Sequence, residues 1–255
     1  MIIILILFVL LVAFGIYAFW ASQKKEREPF PKNWHGVLLE HVHFYKELSA
    51  KEQKRFQQRM MGFLSEVYID GVEIKVEELD EILIAASAVI PVFGFPEWHY
   101  RNLSGILVYP DRFDEELDFE GDEKKRMISG LVGNGRFEKQ MILSRKALRQ
   151  GFVTEKDKNN TGIHEFVHLI DKLDGKTDGV PERLLKEPYV IPWLKLIHRE
   201  MEAINSNASD IRKYGGTNEA EFLAVAAEYF FERPHEMENK HPELYEMMQR
   251  CFQVK

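Results

Sequence analysis

The chain begins with an unbroken apolar run. Residues 1–23 carry no charged side chain. At about 1.5 Å per residue, a helix of this length would span roughly 35 Å, enough to cross the hydrocarbon core of a bilayer with some tilt. A cleaved signal peptide would have basic residues before the apolar run and a small-residue cleavage site after it, whereas residues 18–21 (AFWA) form a poor site. The pattern therefore predicts a transmembrane helix that anchors the protein in a membrane.

Charged residues follow this run directly. Lys24, Lys25 and Arg27 lie in a short segment, residues 24–33, that also contains two prolines and is typical of a linker. Loops on the cytoplasmic side of transmembrane helices are enriched in lysine and arginine. We therefore expect a single-pass membrane protein whose remaining residues, 34–255, form a domain in the cytoplasm.

Beyond the linker, the apolar positions follow mainly helical periodicity. They recur at helical spacing across residues 38–48, and Ser49 with Glu52 resembles a capping box that opens a helix over residues 50–67. Further helices are predicted over residues 76–89, and around residues 163–173, 193–208 and 218–232.

Two short apolar runs are typical of strands rather than helices. They cover residues 106–109 and 141–144. Asp70 and Gly71 indicate a turn, and the acidic segment 111–125 indicates a solvated loop. The chain beyond the linker is thus predicted to be a mainly helical α+β domain that carries a small sheet.

Composition narrows the chemistry that this domain can carry. The net charge of −7 argues against a nucleic-acid surface, which needs a dense basic patch. The single cysteine, Cys251, excludes a disulfide framework and a four-cysteine zinc site, and it is consistent with a reducing compartment. Any metal ion must therefore be held mainly by histidine, aspartate or glutamate side chains.

The segment with the clearest chemistry is H-E-x-x-H, formed by His164, Glu165 and His168. Residues four apart on a helix face the same way, so both imidazoles can reach one zinc ion. Glu165 is offset by one position, where its carboxylate can take a proton from metal-bound water. An ordinary helix with two histidines on a polar face is the alternative, but the surrounding residues are predominantly apolar. The motif therefore predicts a metallopeptidase.

A catalytic zinc ion usually has three protein ligands, and the sequence offers two candidates for the third. Asp174 lies six residues after His168, at the spacing of the extended motif H-E-x-x-H-x-x-G-x-x-H/D. The pair Asp174-Gly175 is, however, also typical of a helix end. Glu221 belongs to the later predicted helix, which could pack across the first. Spacing alone leaves both candidates open.

Two further carboxylates could orient the imidazoles. Asp171 lies seven residues after His164, and Glu228 lies seven residues after Glu221, so each pair shares a helix face. Metal-bound histidines commonly donate their second ring N–H to such a carboxylate. Either residue could therefore fix the orientation of an imidazole.

Two stretches of this sequence resemble a known family. Residues 164–181 (HEFVHLIDKLDGKTDGVP) and 214–234 (YGGTNEAEFLAVAAEYFFERP) closely resemble the Mlc titration factor A family, also called DgsA anti-repressors. The likeness extends from about Pro31 to the C-terminus. Members of that family are zinc-dependent peptidases whose catalytic core is related to anthrax lethal factor.

The resemblance implies a zincin-like metallopeptidase domain with a gluzincin site. In such a site one zinc ion is bound by His164, His168 and Glu221, which favours Glu221 over Asp174, and Glu165 is the general base. Tyr214 would stabilise the oxyanion. The resemblance further implies a peptide or protein substrate, with aminopeptidase-type cleavage as one form of the activity, and a transcriptional repressor as a partner.

The chain also differs from the family pattern. Soluble members lack an N-terminal anchor, and residues 129–137 (SGLVGNGRF) lack an expected Gly-Glu-Ser stretch. Two functions therefore remain as hypotheses. One is a peptidase, which the presence of Glu165 favours, since a structural zinc site needs no base. The other is a membrane-tethered regulatory protein that binds a repressor and whose zinc is mainly structural.

Overall fold

A computed structural model of the protein describes residues 29–113, 129–133, 138–153 and 158–253. The predicted anchor over residues 1–23 lies outside these ranges, as does most of the acidic loop predicted at 111–125. Within the described ranges, no helix is long and apolar enough to span a bilayer. The transmembrane helix therefore stays a prediction.

The described residues form ten α-helices, four short 3-10 helices and four strands. The helices are α1 (Trp34–His41), α2 (His43–Lys46), α3 (Ala50–Glu66), α4 (Glu78–Val89), α5 (Arg145–Val153), α6 (Thr161–Asp171), α7 (Val190–Asn205), α8 (Glu219–Glu232), α9 (Pro234–Lys240) and α10 (Pro242–Phe252). The strands are β1 (Tyr68–Gly71), β2 (Gly105–Tyr109), β3 (Gly130–Val132) and β4 (Gln140–Ser144). The prediction of a mainly helical α+β fold with a small sheet is confirmed.

The four strands form one sheet in the order β1-β2-β4-β3. Strands β1, β2 and β4 are parallel to one another, and β3 pairs with β4 in the antiparallel direction. The parallel strands require crossover connections, and α4 lies in the connection from β1 to β2. The sheet therefore ends in a short antiparallel edge strand, β3.

Sequence periodicity predicted β2 and β4 but neither edge strand. Asp70 and Gly71 do not form the predicted turn, because they are the last two residues of β1 and pair with Leu107 and Val108 of β2. Backbone pairing at an edge does not require apolar side chains. Tyr68 at the start of β1 is 64% exposed, which explains why no hydrophobic pattern marked this strand.

Most predicted helices are present with small shifts in their ends. The capping box at the start of α3 is confirmed, because the amide of Ser49 donates to the carboxylate of Glu52 at 3.0 Å and the Ser49 hydroxyl accepts from the Glu52 amide. Helix α4 begins at Glu78, two residues later than predicted, and α7 begins at Val190, three residues earlier.

Two asparagine caps fix the starts of α6 and α8. The Asn160 side chain accepts a hydrogen bond from the amide of Ile163 at 3.0 Å, and the Asn218 side chain accepts one from the amide of Glu221 at 2.9 Å. Such caps satisfy N–H groups that have no partner within the helix. The Asn218 cap also places Glu221 in the first turn of α8.

Helix α6 lies at the centre of the core and is almost entirely buried. The ring of Phe166 contacts the rings of Phe63 and Tyr100, with centroids 5.5 and 5.2 Å apart. On the side facing α4, a side chain at Gly162 would place its Cβ 2.1 Å from the hydroxyl of Ser87, so only glycine allows this approach. Dense packing of this kind gives α6 a fixed position between the other elements.

Candidate metal centre

The two histidines of the H-E-x-x-H motif lie one turn apart on α6. Their imidazole rings have centroids 4.7 Å apart, and the Nε2 atoms of His164 and His168 are separated by 3.1 Å. Both side chains are largely buried, with 11% and 13% of their surface exposed. The predicted pairing of the two imidazoles on one helix face is therefore present.

A carboxylate from α8 completes the group. The Oε2 atom of Glu221 lies 3.0 Å from His164 Nε2 and 3.3 Å from His168 Nε2. Tetrahedral zinc with bonds of about 2.0–2.1 Å holds its ligand atoms about 3.3 Å apart. Among the described residues, His164, His168 and Glu221 form the one group of three or more such side chains that could hold a metal ion.

The hydrogen bonding of Glu221 also fits a cation. Its Oε2 atom is buried and has no hydrogen-bond partner in the described part of the chain, although two imidazole nitrogens lie close to it. An unsatisfied buried carboxylate oxygen is costly. A positive ion between the three atoms would bind this oxygen, so the residues present fit a metal of the kind that imidazole and carboxylate ligands prefer.

The alternative ligand, Asp174, is not brought to the histidines. It ends the 3-10 helix Lys172–Asp174, and its Oδ1 atom accepts a hydrogen bond from the amide of Lys176 at 2.8 Å. Gly175 follows with a φ of 97°, in the left-handed region that glycine adopts readily. Asp174 therefore belongs to the turn after α6, and the geometry favours Glu221.

Glu228 orients one imidazole, as one of the two sequence hypotheses proposed. It is fully buried, and its Oε1 atom lies 2.8 Å from His164 Nδ1. The same carboxylate accepts hydrogen bonds from the Arg212 guanidinium and from the Asn160 amide. These donors compensate for burial of the charge and hold Glu228 in a position to accept the His164 Nδ1 hydrogen, which leaves Nε2 directed at Glu221.

Asp171 takes a different position. Its Oδ2 atom accepts a hydrogen bond from the amide of Gly179 at 2.9 Å, so it fixes the loop that follows α6. Within the described residues, neither its Oδ1 atom nor His168 Nδ1 has a hydrogen-bond partner. Burial raises the pKa of Asp171 to about 6, and the Gly179 amide opposes the rise.

Glu165 and Tyr214 line the same cleft as the three ligand candidates. This cleft has a volume of about 600 Å³, and all five residues predicted from the sequence contribute to its wall. The Tyr214 ring lies 6.0 Å from the His164 ring and is 39% exposed. Burial raises the pKa of Glu165 above its usual range, and the two imidazoles offset part of that rise.

Charge around His164 favours a cation at this point. Burial alone would lower the pKa of His164, but interactions with Glu221 and Glu228 reverse this and raise it to about 10. Burial opposes ionisation of Glu221 in the same way, yet the two imidazoles lower its pKa well below the usual range. A proton and a metal ion therefore compete for the Nε2 atom of His164.

Strand β3 crosses the cleft next to Glu165. A Cβ atom added to Gly130 would lie 2.5 Å from the Glu165 carboxylate, so glycine at this position lets the strand approach without displacing that side chain. Neither β3 nor Arg212 was identified from the sequence. The strand has only three residues, and the role of Arg212 depends on contacts with residues far away in the chain.

Comparisons with known proteins agree with this geometry. Residues 17–253 match the model of a family described as glucose-regulated metallo-peptidase M90. An uncharacterized protein of Synechocystis is 26% identical over 91% of this chain and 88% of its own length. Proteins named Mlc titration factor A are similar as well. The one from Escherichia fergusonii is 27% identical over 89% of this chain and 87% of its own, and the one from an Enterobacter species is 29% identical over 81% and 80%.

Alanine variants test the ligand set. We expect the purified protein to bind about one zinc ion per chain and the variants His164→Ala and His168→Ala to lose it. Loss of an outer-shell partner alone commonly costs 10- to 100-fold in metal affinity, so Glu221→Ala should cost more than about a hundredfold. Elemental analysis and competition with a chelating dye measure both quantities.

Asp174→Ala is the matched control for this experiment. It removes an acidic side chain close to the motif and should leave zinc affinity close to that of the unaltered protein. A loss of zinc from Asp174→Ala, together with retention in Glu221→Ala, would show that the third ligand is Asp174.

Proposed function

The chain belongs to the glucose-regulated metallo-peptidase M90 family, and from this premise we propose that it is a zinc-dependent peptidase of the gluzincin type with a zincin-like fold. The observation that carries this proposal is the convergence of His164 Nε2, His168 Nε2 and Glu221 Oε2 within 3.3 Å of one another. The adjacent carboxylate of Glu165 supports catalysis rather than a purely structural role, because a structural site needs no base.

In this proposal Glu165 moves the proton. When bound, zinc would polarise the scissile carbonyl and lower the pKa of water. The Glu165 carboxylate would accept the proton of the attacking water and pass it to the leaving amine. Burial of Glu165 suits this dual role, because it raises the pKa of the carboxyl group toward neutral pH. A group whose pKa lies near the working pH can both accept and donate a proton.

Tyr214 would stabilise the charge that develops on the substrate oxygen. Its phenol lies on the 3-10 helix Lys213–Gly216, directly before α8, and its ring is partly exposed in the cleft. A hydrogen bond from a phenol to a developing oxyanion is stronger in the transition state than in the ground state. The short connection from this 3-10 helix to α8 would hold Tyr214 in a fixed position relative to Glu221.

The edge strand offers a place for the peptide backbone. Gly133 donates its N–H to Gln140, and Ser129 accepts a hydrogen bond from Ser144, so these residues face β4. Because the direction alternates along an antiparallel strand, the N–H and C=O groups of Gly130 and Val132 point away from the described sheet. An extended substrate could pair with this edge beside the catalytic residues.

A regulatory binding role is the second candidate. Several of the similar proteins are named Mlc titration factor A, and family resemblance connects that name with binding of a transcriptional repressor. Under this alternative the metal would be mainly structural and the repressor would be the partner.

We also propose that the apolar residues 1–23 anchor the protein in a membrane as a single-pass helix and leave the catalytic domain in the cytoplasm. The support for this is the absence of charge in that segment and the cluster of Lys24, Lys25 and Arg27 directly after it.

The variant Glu165→Gln separates the two functions. We expect it to retain zinc and to cleave short chromogenic peptides about 10²- to 10⁴-fold more slowly, because it lacks the group that transfers the proton. Glu202→Gln, which changes an exposed acid on α7, is the control and should retain full activity. If the unaltered zinc-loaded protein cleaves neither chromogenic peptides nor a broad peptide library, the peptidase proposal fails and the regulatory binding role is favoured.

The variant Tyr214→Phe tests the oxyanion role. We expect kcat to fall about a hundredfold with little change in KM, because the lost hydrogen bond acts mainly in the transition state. Tyr68→Phe removes an exposed hydroxyl at the opposite edge of the sheet and should have no effect. A rise in KM with an unchanged kcat would instead show that Tyr214 only binds substrate.

A reporter fusion tests the orientation. An enzyme that is active only after export should stay inactive when fused to the C-terminus, since the basic residues retain that end in the cytoplasm. Replacement of Lys24, Lys25 and Arg27 by glutamine should weaken this retention. An active reporter on the unaltered chain would contradict the proposed orientation.

A further inference from the structure

A second cavity opens beside the metal centre at the N-terminal end of α6. It has a volume of about 290 Å³, and its described lining includes His164, Glu165 and Tyr214 of the proposed catalytic site. Its remaining wall is mainly polar and includes Thr161 at the start of α6 and Gln150 of α5. The cavity is large enough for a substrate side chain and directly adjoins the reacting groups.

Two arginines give this cavity its charge. Arg112 lies at the exposed rim and Arg212 in the wall, and apart from His164 they are the basic side chains among its described lining residues. Asp111, which precedes Arg112 in the chain, pairs with Lys146 at 2.8 Å. Asp111 is therefore shared between Lys146 and Arg112, and Glu165 is the one acid among the described lining residues of the cavity that Arg112 faces.

Arg212 retains hydrogen-bonding capacity after its structural contacts are made. Its guanidinium donates to Asn159 Oδ1 at 3.1 Å and to the buried Glu228. A guanidinium carries five N–H groups, so these two contacts leave donors unused. Arg212 is fixed by Glu228 and can present a donor to a ligand, while Arg112 adds a second positive charge at the rim of the cavity.

The edge strand defines which part of a substrate would reach this cavity. The cavity adjoins Ser129 and Gly130 at the start of β3, whereas the main cleft continues along Val132 at its end. A peptide that pairs with β3 in the antiparallel direction, the more stable of the two ladders, runs from Val132 toward Gly130. The part of the substrate after the cleaved bond would therefore enter the cavity.

We propose that this cavity, between Arg112 and Arg212, is a subsite for a carboxylate on the C-terminal side of the cleaved bond. The inference deepens the proposed peptidase function and rests on it. Arginine binds carboxylates through two parallel hydrogen bonds, which gives both charge and geometric recognition. The carboxylate has two sources, an acidic side chain after the cleaved bond or the free C-terminus of a short substrate.

Matched peptides distinguish these sources. The first pair carries glutamate or glutamine directly after the cleaved bond, with both ends blocked. The second pair carries glutamine there and ends in either a free carboxylate or an amide. In one of the two pairs, we expect the peptide with the carboxylate to have a kcat/KM roughly tenfold above that of its neutral partner. A ratio of this size corresponds to one charge-assisted hydrogen bond. Equal values in both pairs would overturn the proposal.

Variants at the rim connect this preference to Arg112. Arg112→Gln should bring the ratio of kcat/KM between the acidic and neutral peptides close to one. Arg112→Lys should keep part of the preference, because lysine keeps the charge without the bidentate geometry. Lys54→Gln is the control, since Lys54 is an exposed cation on α3 that lies outside the described lining of the cavity. A ratio that survives in Arg112→Gln would contradict the assignment.

A binding measurement keeps this inference separate from the peptidase proposal. Fluorescence anisotropy with Glu165→Gln protein reports peptide affinity without turnover. Roughly tenfold tighter binding of the carboxylate peptide, weakening as salt is added, supports the subsite even if the unaltered protein cleaves nothing. Cleavage without any preference in rate or affinity would refute the subsite and leave the peptidase proposal intact.

Discussion

The structure of the site depends on one contact, the packing of α6 across the first turn of α8. This contact brings Glu221 Oε2 to 3.0 and 3.3 Å from the two imidazole nitrogens. It also places the buried Glu228, two turns further along the same face of α8, 2.8 Å from His164 Nδ1. Because α6 is enclosed by aromatic side chains and by close contacts at Gly162, the distances between these groups are fixed by the core rather than by loops.

Buried charge is the main constraint on this arrangement. A carboxylate as deeply buried as Glu228 is unfavourable unless donors surround it. Asn160 and His164 at the start of α6 and the distant Arg212 supply those donors. Arg212 also lies in the wall of the cavity beside Glu165, so the residue that balances the buried charge is part of the surface that a substrate would meet.

The features that could be predicted from the sequence are those that depend on the spacing of residues close together in the chain. The histidine pair four residues apart, the Ser49 capping box and the helices with clear periodicity are all present. Glu221 was one of two candidates, and its choice over Asp174 followed from family resemblance, because the packing of two helices distant in sequence has no local signal. Strands β1 and β3, Arg212 and the hydrogen bond between Asp171 and Gly179 were missed for the same reason. Each depends on pairing or burial that only the folded chain creates.

A zinc-anomalous diffraction map of the metal-loaded protein tests the central claim most directly. One ion bound by His164, His168 and Glu221 should give a single peak about 2.0–2.1 Å from both Nε2 atoms and from a carboxylate oxygen of Glu221. A peak bound by Asp174, or one remote from the H-E-x-x-H helix, would contradict it.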